Sequence, residues 1–440
     1  MASKKTNKVV TESIGDIVSF GYTEFGKYIN TSRVFPRLLD GLKPSYRRGI
    51  YASYLGGKDY AKSAEVLGNM MKFHPHSTDG TYESLAKFTL CGILEGEGSF
   101  GRADILGDSD GPAAARYTAI KVSKKLRAMI EPVLDLVPWQ DSEVNGNIKE
   151  PSYLPTPFPL SFLVDRVSGL GIGVSAILPT FSMESMYEAY ITNDPKKLKY
   201  RTKGLKIIAK DSDLDALWKT GKGYLTYQYA KITKGDREVL IEGDPSRFPI
   251  QLDKGGKGDD KLFMQYREEG RILIDNLSDK SKPGLLRVYL SPGTRGVDID
   301  WLHKYLTEKA THKETYMINV TDGEIVRTIG IREWIDITYN NYINLLNLNR
   351  DNKLKSLEFS KKVYLAMPEV VKIFLKDTSV TNEQLAKKTK VDLEIIKVIM
   401  SKPIGTLRKT DSEAKIKEIE KEIKALKKFK AEEFIKEHIF

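Results

Sequence analysis

One cysteine stands in 440 residues, so no internal disulfide can form and a small stapled scaffold is excluded. That residue, Cys91 in the apolar segment FTLCGIL, reads as a buried structural thiol, and a reducing, cytoplasmic setting is expected. Histidine is also scarce, at five, and no cysteine lies within ligand spacing of the HPH triplet at 74 to 76, which argues against a zinc site there. No apolar run approaches the length of a bilayer span. The start, MASKKTNKVVTESIGD, carries charge without a following apolar stretch, so neither export nor membrane insertion is expected. SGLGIGVS at 168 to 175 lacks the further glycine and the later acid of a dinucleotide loop. Internal repeats and low-complexity linkers are missing as well.

What is present is basic charge in clusters. Seventy Lys and Arg oppose 59 Asp and Glu, a net +11 that spread evenly would mean only a soluble surface. Between Arg33 and Arg48, however, five cations (Arg33, Arg37, Lys43, Arg47, Arg48) face the single acid Asp40, a density suited to phosphate. The competing reading is an ordinary basic surface helix. The length supports about two to four domains. Thr11 to Tyr28 has helical spacing and reads as an amphipathic arm, giving a first division at 1–30. Residues 31–185 alternate short helical and extended segments. Over 186–330, LKIIAK, GYLTYQYAKITK, REVLIEG, RILIDNL and LLRVYL are rich in β-branched and aromatic residues and read as strands of a second α+β domain. Over 331–440, IREWIDITYNNYINLLNLNRDNKLKSLEFSKKVYLAM runs as a helix until Pro368, and Ile416, Ile419, Ile423 and Leu426 fall at heptad-like spacing. Asp211, Asp213 and Asp215 have the spacing of a magnesium-binding triad. Acids favouring the first turn of a helix explain them better.

Five blocks in order carry a resemblance: RVFPRLLDGLKPSYRRGIY (33–51), FHPHSTDGTYESLAKF (73–88), LEGEGSFG (94–101), PAAARYTAIKVSKKL (112–126) and YLPTPFPLSFLVDRVSGLGIGVSAILP (153–179). The chain resembles the breakage-reunion subunit of type IIA DNA topoisomerases, of gyrase A and topoisomerase IV A type, with a layout nearest the T-even-like phage branch. The resemblance implies an α+β multidomain fold: a winged-helix DNA-cleavage domain, an α/β tower domain, and a long antiparallel coiled coil with a terminal helical gate. It implies Tyr117 as nucleophile with Arg116 beside it, and DNA contacts at Arg33, Lys43, Tyr46, Arg47, Arg48, His74 and His76. Leu170 aligns with the family's apolar wedge, its alternative being a buried turn residue. Tyr46 stands where bacterial enzymes usually carry histidine, and Leu39 replaces a common arginine. Asp79 and Glu83 occupy drug-contact positions on the helix after HPH, with Asp79 in place of a small hydroxyl residue. The loop RADILGDSDGPAAA is longer than the usual bacterial form.

The implied reaction is transesterification by a phenolate, with a guanidinium stabilising the charge on phosphorus. Mg2+ and ATP are expected on a partner subunit with toprim and GHKL ATPase domains, and no metal on this chain. The other expected partners are double-stranded DNA and a second copy of this chain through the C-terminal gate. The end at Phe440 leaves no room for a DNA-wrapping β-pinwheel, so introduction of negative supercoils is not expected. The alternative is a non-catalytic winged-helix DNA-binding dimer, for which Arg116 and Tyr117 would not be required.

Overall fold

A computed structural model describes residues 13–440 except 74, 76–77, 102–110, 143–145, 165–166, 202–205, 229, 244–257, 278–284 and 404–411. Helix α1 (Ile14–Ile29) starts where the Ser13 hydroxyl accepts the Asp16 N–H at 3.1 Å, and it runs into a π-helical turn at Asn30–Val34. Pro44 opens α2 (Pro44–Leu55), a position where its missing N–H costs nothing. Then come β1 (Ala61–Lys62), α3 (Ser63–Met71), α4 (Thr78–Leu90), β2 (Leu94–Glu97) and β3 (Ala119–Val122). The three strands form an antiparallel sheet in the order β1-β3-β2, with Ala61 opposite Ile120 and Leu94 opposite Val122. Ile50, Val66, Leu85, Phe88, Ile93, Ile120 and Val122 are all buried, so helices and sheet share one interior.

Helix α5 (Lys124–Ile130) leads to two hairpins, β4 (Trp139–Asp141) with β5 (Lys149–Pro151), and β6 (Ser168–Leu170) with β7 (Ser175–Ile177), followed by α6 (Met183–Thr192). Next in order are β8 (Lys206–Ile207), α7 (Asp211–Thr220), β9 (Lys222–Gln228), β10 (Ala230–Lys234), β11 (Glu238–Gly243), α8 (Asp259–Glu268), β12 (Ile272–Asn276), β13 (Leu285–Leu290), α9 (Ile299–Lys309), β14 (Thr311–Met317), β15 (Asn319–Thr321) and β16 (Val326–Thr328). Strands therefore stand in each of the β-branched runs. Alternation along β11 and β13 turns Val239, Ile241, Leu286, Val288 and Leu290 inward, against Phe263 of α8 and Leu302, Tyr305 and Leu306 of α9. A five-stranded sheet, β6-β7-β14-β9-β8, joins the hairpin at 168–177 to strands from beyond residue 200. It spans the sequence-based division at 185/186.

The chain forms two compact units, one up to Tyr342 and one from Ile343. Helix α10 (Ile331–Lys376) runs through Pro368 rather than stopping there. Proline removes one backbone bond, but Val363, Met367 and Val370 on either side of it are buried with Leu385 of α11 (Asn382–Thr389) and Ile395, Ile396 and Ile399 of α12 (Leu393–Met400), and that packing holds the helix together. Helix α13 (Ser412–Lys427) runs back along α10, Lys361 meeting Glu420 at 2.6 Å, and α14 (Ala431–Ile439) follows. Among the described residues no helix is long and apolar enough to cross a membrane.

Candidate active site and nucleic-acid interface

Tyr117 sits on the turn that enters β3 and is 65% exposed, and the Arg116 guanidinium carbon lies 4.6 Å from its ring centroid. The turn is held from behind. The Tyr82 hydroxyl of α4 donates to the Ala113 carbonyl at 2.6 Å, and its oxygen lies 2.7 Å from the Thr118 hydroxyl, itself 2.8 Å from Ser63 Oγ. Two backbone bonds, Ala64 N–H to the Ala115 carbonyl and Ser63 N–H to the Thr118 carbonyl, attach the same turn to the start of α3. Tyr82, Ser63 and Thr118 are buried, and helical periodicity by itself gives Tyr82 only an apolar role within the run Tyr82, Leu85, Phe88. An exposed phenol on a fixed turn, with a cation against its ring, can approach a phosphodiester without first rearranging the backbone.

A second group gathers around the β6–β7 hairpin. Leu170 is 87% exposed at the end of β6, an apolar side chain presented to solvent rather than a buried turn residue. Lys43 Nζ donates to the Ser168 carbonyl at 2.6 Å and lies 5.8 Å from the Tyr46 ring, while Tyr46 meets Phe88 of α4 edge-on at 5.0 Å. Burial, then the charge of Lys87, holds the Lys43 ammonium below the usual lysine range, and burial pushes the Tyr46 phenol up, so Tyr46 keeps its proton as a donor. Arg33 is exposed on the π-helical turn, its guanidinium 5.7 Å from the Tyr28 ring. Asn30 reaches from that turn to the backbone of Ile172 in the hairpin.

Arg47 and Arg48, expected among the DNA contacts, lie inside the fold. Both are buried: Arg48 makes a two-pronged bond to Glu150, Nε at 2.8 Å and Nη2 at 2.7 Å, and Arg47 lies 3.6 Å from the buried Asp40. The Asp40 carboxylate also accepts the N–H groups of Leu42 at 2.9 Å and Leu154 at 3.1 Å, and burial pushes its pKa up against these partners. Arg48 ties α2 to Glu150 and Arg47 faces Asp40, so in this conformation both charges point inward. His74, His76, Asp108 and Asp110 lie outside the described residues. Asp79 stands in the first turn of α4, and both it and Glu83 are exposed. Of the Asp211 group, Asp211 pairs with Lys196 at 2.6 Å and Asp215 with Lys219 at 3.6 Å at the start of α7. Among the described residues no group of three or more His, Cys, Asp or Glu is arranged to hold a metal ion.

Residues 33–439 match the model of the family of DNA gyrase/topoisomerase IV A subunits. The chain belongs to that family. Relatives of this gyrase/topoisomerase IV A-type chain include the DNA gyrase A subunit of Rickettsia typhi, 26% identical over 388 residues that cover 80% of this chain and 41% of that protein. The DNA gyrase A subunit of Rickettsia prowazekii is 26% identical over 461 residues, 94% of this chain and 49% of the relative. The DNA topoisomerase 4 A subunit of Salmonella typhimurium is 26% identical over 390 residues, 80% of this chain and 50% of the relative. The chain spans about half the length of these curated relatives, between 41% and 50%.

Proposed function

We propose that this chain is the DNA-cleaving and rejoining subunit of an ATP-dependent type II topoisomerase, with Tyr117 as nucleophile. The observation that carries the reading is the exposed Tyr117 phenol, stacked by Arg116 on a turn fixed to α3 and α4, in a chain of the gyrase/topoisomerase IV A family. Tyr117 Oη forms a bond to phosphorus as the bond from phosphorus to the ribose 3′ oxygen breaks. The phenol gives up its proton to a base or to solvent, the 3′ oxygen takes one up, and a 5′-phosphotyrosyl link remains. One ester replaces another, so rejoining needs no fuel. Arg116 stabilises the charge on the five-coordinate phosphorus.

The sheet order β1-β3-β2 with α2, α3 and α4 supports a winged-helix reading of the cleavage domain. The sheets built from β8 to β14 are read as the tower, α10 with α13 as an antiparallel coiled coil, and α11 with α12 as the gate through which two copies meet. Each DNA strand needs its own tyrosine, and a two-fold dimer supplies two. A partner subunit with toprim and GHKL domains is expected to hold magnesium, which would stabilise charge at the leaving oxygen, and ATP. Lys43, Arg33 and Tyr46 are read as phosphate contacts and Leu170 as a wedge that kinks the duplex.

The test mixes the chain with a toprim/ATPase partner, magnesium and supercoiled plasmid, then adds denaturant. Wild type should give linear DNA with protein attached, Tyr117→Phe none, and Arg116→Ala roughly a hundredfold less per unit time. Adducts from Tyr117→Phe would point to another nucleophile. DNA binding with no adduct from wild type would favour the non-catalytic dimer.

A further inference from the structure

The hairpin that carries Leu170 is short, three residues in each strand, and its own ladder is too small to hold a direction in water. Its base is secured by pairing of Ile177 with Met317 of β14, and the Asn319 amide donates at 2.6 Å to the carbonyl of Ser175, the residue opposite Leu170, which leaves the turn beyond that pair to be held from elsewhere. Its tip is secured from 142 residues away. Asn30 Nδ2 donates to the Ile172 carbonyl at 3.0 Å, and Asn30 Oδ1 accepts the Ile172 N–H at 2.9 Å. One amide that both donates to and accepts from the same residue acts as an extra rung of sheet, fixing orientation as well as distance. The backbone around it leaves room for this contact and no more. A side chain at Gly171 would collide with Asn30 Oδ1, one at Gly169 would come within 2.7 Å of the Val34 carbonyl, and one at Gly26 would press on Ile172.

The geometry points to Asn30 as the positioning residue of the wedge: it holds the hairpin tip so that Leu170 meets a base step at a fixed angle, and so sets how far the duplex bends. This rests on the reading of Leu170 as a wedge. A wedge opens a base step only if the free energy of insertion is not lost to a swing of its support. Cutting the two Asn30 bonds lets the tip swing, while the exposed Arg33 and the half-buried Lys43 still hold the phosphates. Binding and bending should therefore separate.

The experiment uses the chain, a short intact duplex with a fluorescent donor and acceptor at its ends, and the same duplex with a nick that makes it bend freely. On the intact duplex Asn30→Ala and Leu170→Ala should each lower the bent population, Asn30→Ala by about tenfold, the amount one or two side-chain hydrogen bonds supply, with the affinity of Asn30→Ala for the nicked duplex held within about twofold. Asn30→Asp, which keeps the acceptor and loses the donor, should fall between. On the nicked duplex all should bend as wild type does, a rescue that general misfolding would not give. Normal bending by Asn30→Ala alongside a defect in Leu170→Ala would overturn the role of Asn30 and leave the wedge standing. Normal bending by Leu170→Ala would remove the wedge and the Asn30 role together. Loss of binding to the nicked duplex by Asn30→Ala would make Asn30 a folding residue and end the proposal.

Discussion

Arg47 and Arg48 are neighbours on α2, and adjacent helical positions point about 100° apart, so a basic pair read from sequence need not face one surface. The partner that decides the fate of Arg48 is Glu150, 102 residues further on, and no local pattern announces it. A guanidinium closed by two bonds to a buried carboxylate acts on stability first. Arg48→Ala should destabilise the protein by about 3–5 kcal/mol in denaturant titration, because Glu150 is left buried and unpaired. The salt dependence of DNA binding should not change. Unchanged stability with a salt slope reduced by about one would instead restore Arg48 as a phosphate contact. At this same scale the sequence left Leu170 open between a wedge and a buried turn residue, and the structure leaves it exposed.

At the scale of elements, α4 does two jobs, only one of which its period reveals. Leu85 and Phe88 face the interior, as helical spacing requires, yet the hydroxyl of Tyr82 on the same face joins the two backbone bonds from α3 in securing the Tyr117 turn. A phenol and a phenyl ring look alike to a periodicity argument. Tyr82→Phe keeps the ring and removes both bonds, leaving the Ala113 carbonyl without that donor, at a cost of about 1–3 kcal/mol. Adduct formation should slow while DNA affinity holds, measured by quenched-flow cleavage beside equilibrium binding, and equal rates would release Tyr82 from that role. The strands of β9 to β13 were legible because β-branched and aromatic runs alternate between turn residues. The pairing of β7 with β14 was not, since it joins segments far apart in sequence through a single register match. Nor was the passage of α10 through Pro368, where the buried residues around it outweigh one lost bond.

For the molecule as a whole, the family match over residues 33–439 covers both compact units, and the proposed nucleophile Tyr117 lies in the first. The net charge of +11 is modest, so on the proposed function DNA affinity comes from where the cations stand: Arg33 exposed on its turn and Lys43 against the hairpin, with Arg47 and Arg48 buried in the interior. Strand passage on this reading uses a wedge, a nucleophile and a partner that supplies metal and ATP, and it depends first on one covalent bond. That bond can be read directly by mass spectrometry of the denaturant-trapped complex after nuclease and protease digestion. A nucleotide remnant joined through a 5′ phosphate to Tyr117 is the expected outcome. A remnant on any other residue, or a 3′ linkage, would refute the assignment.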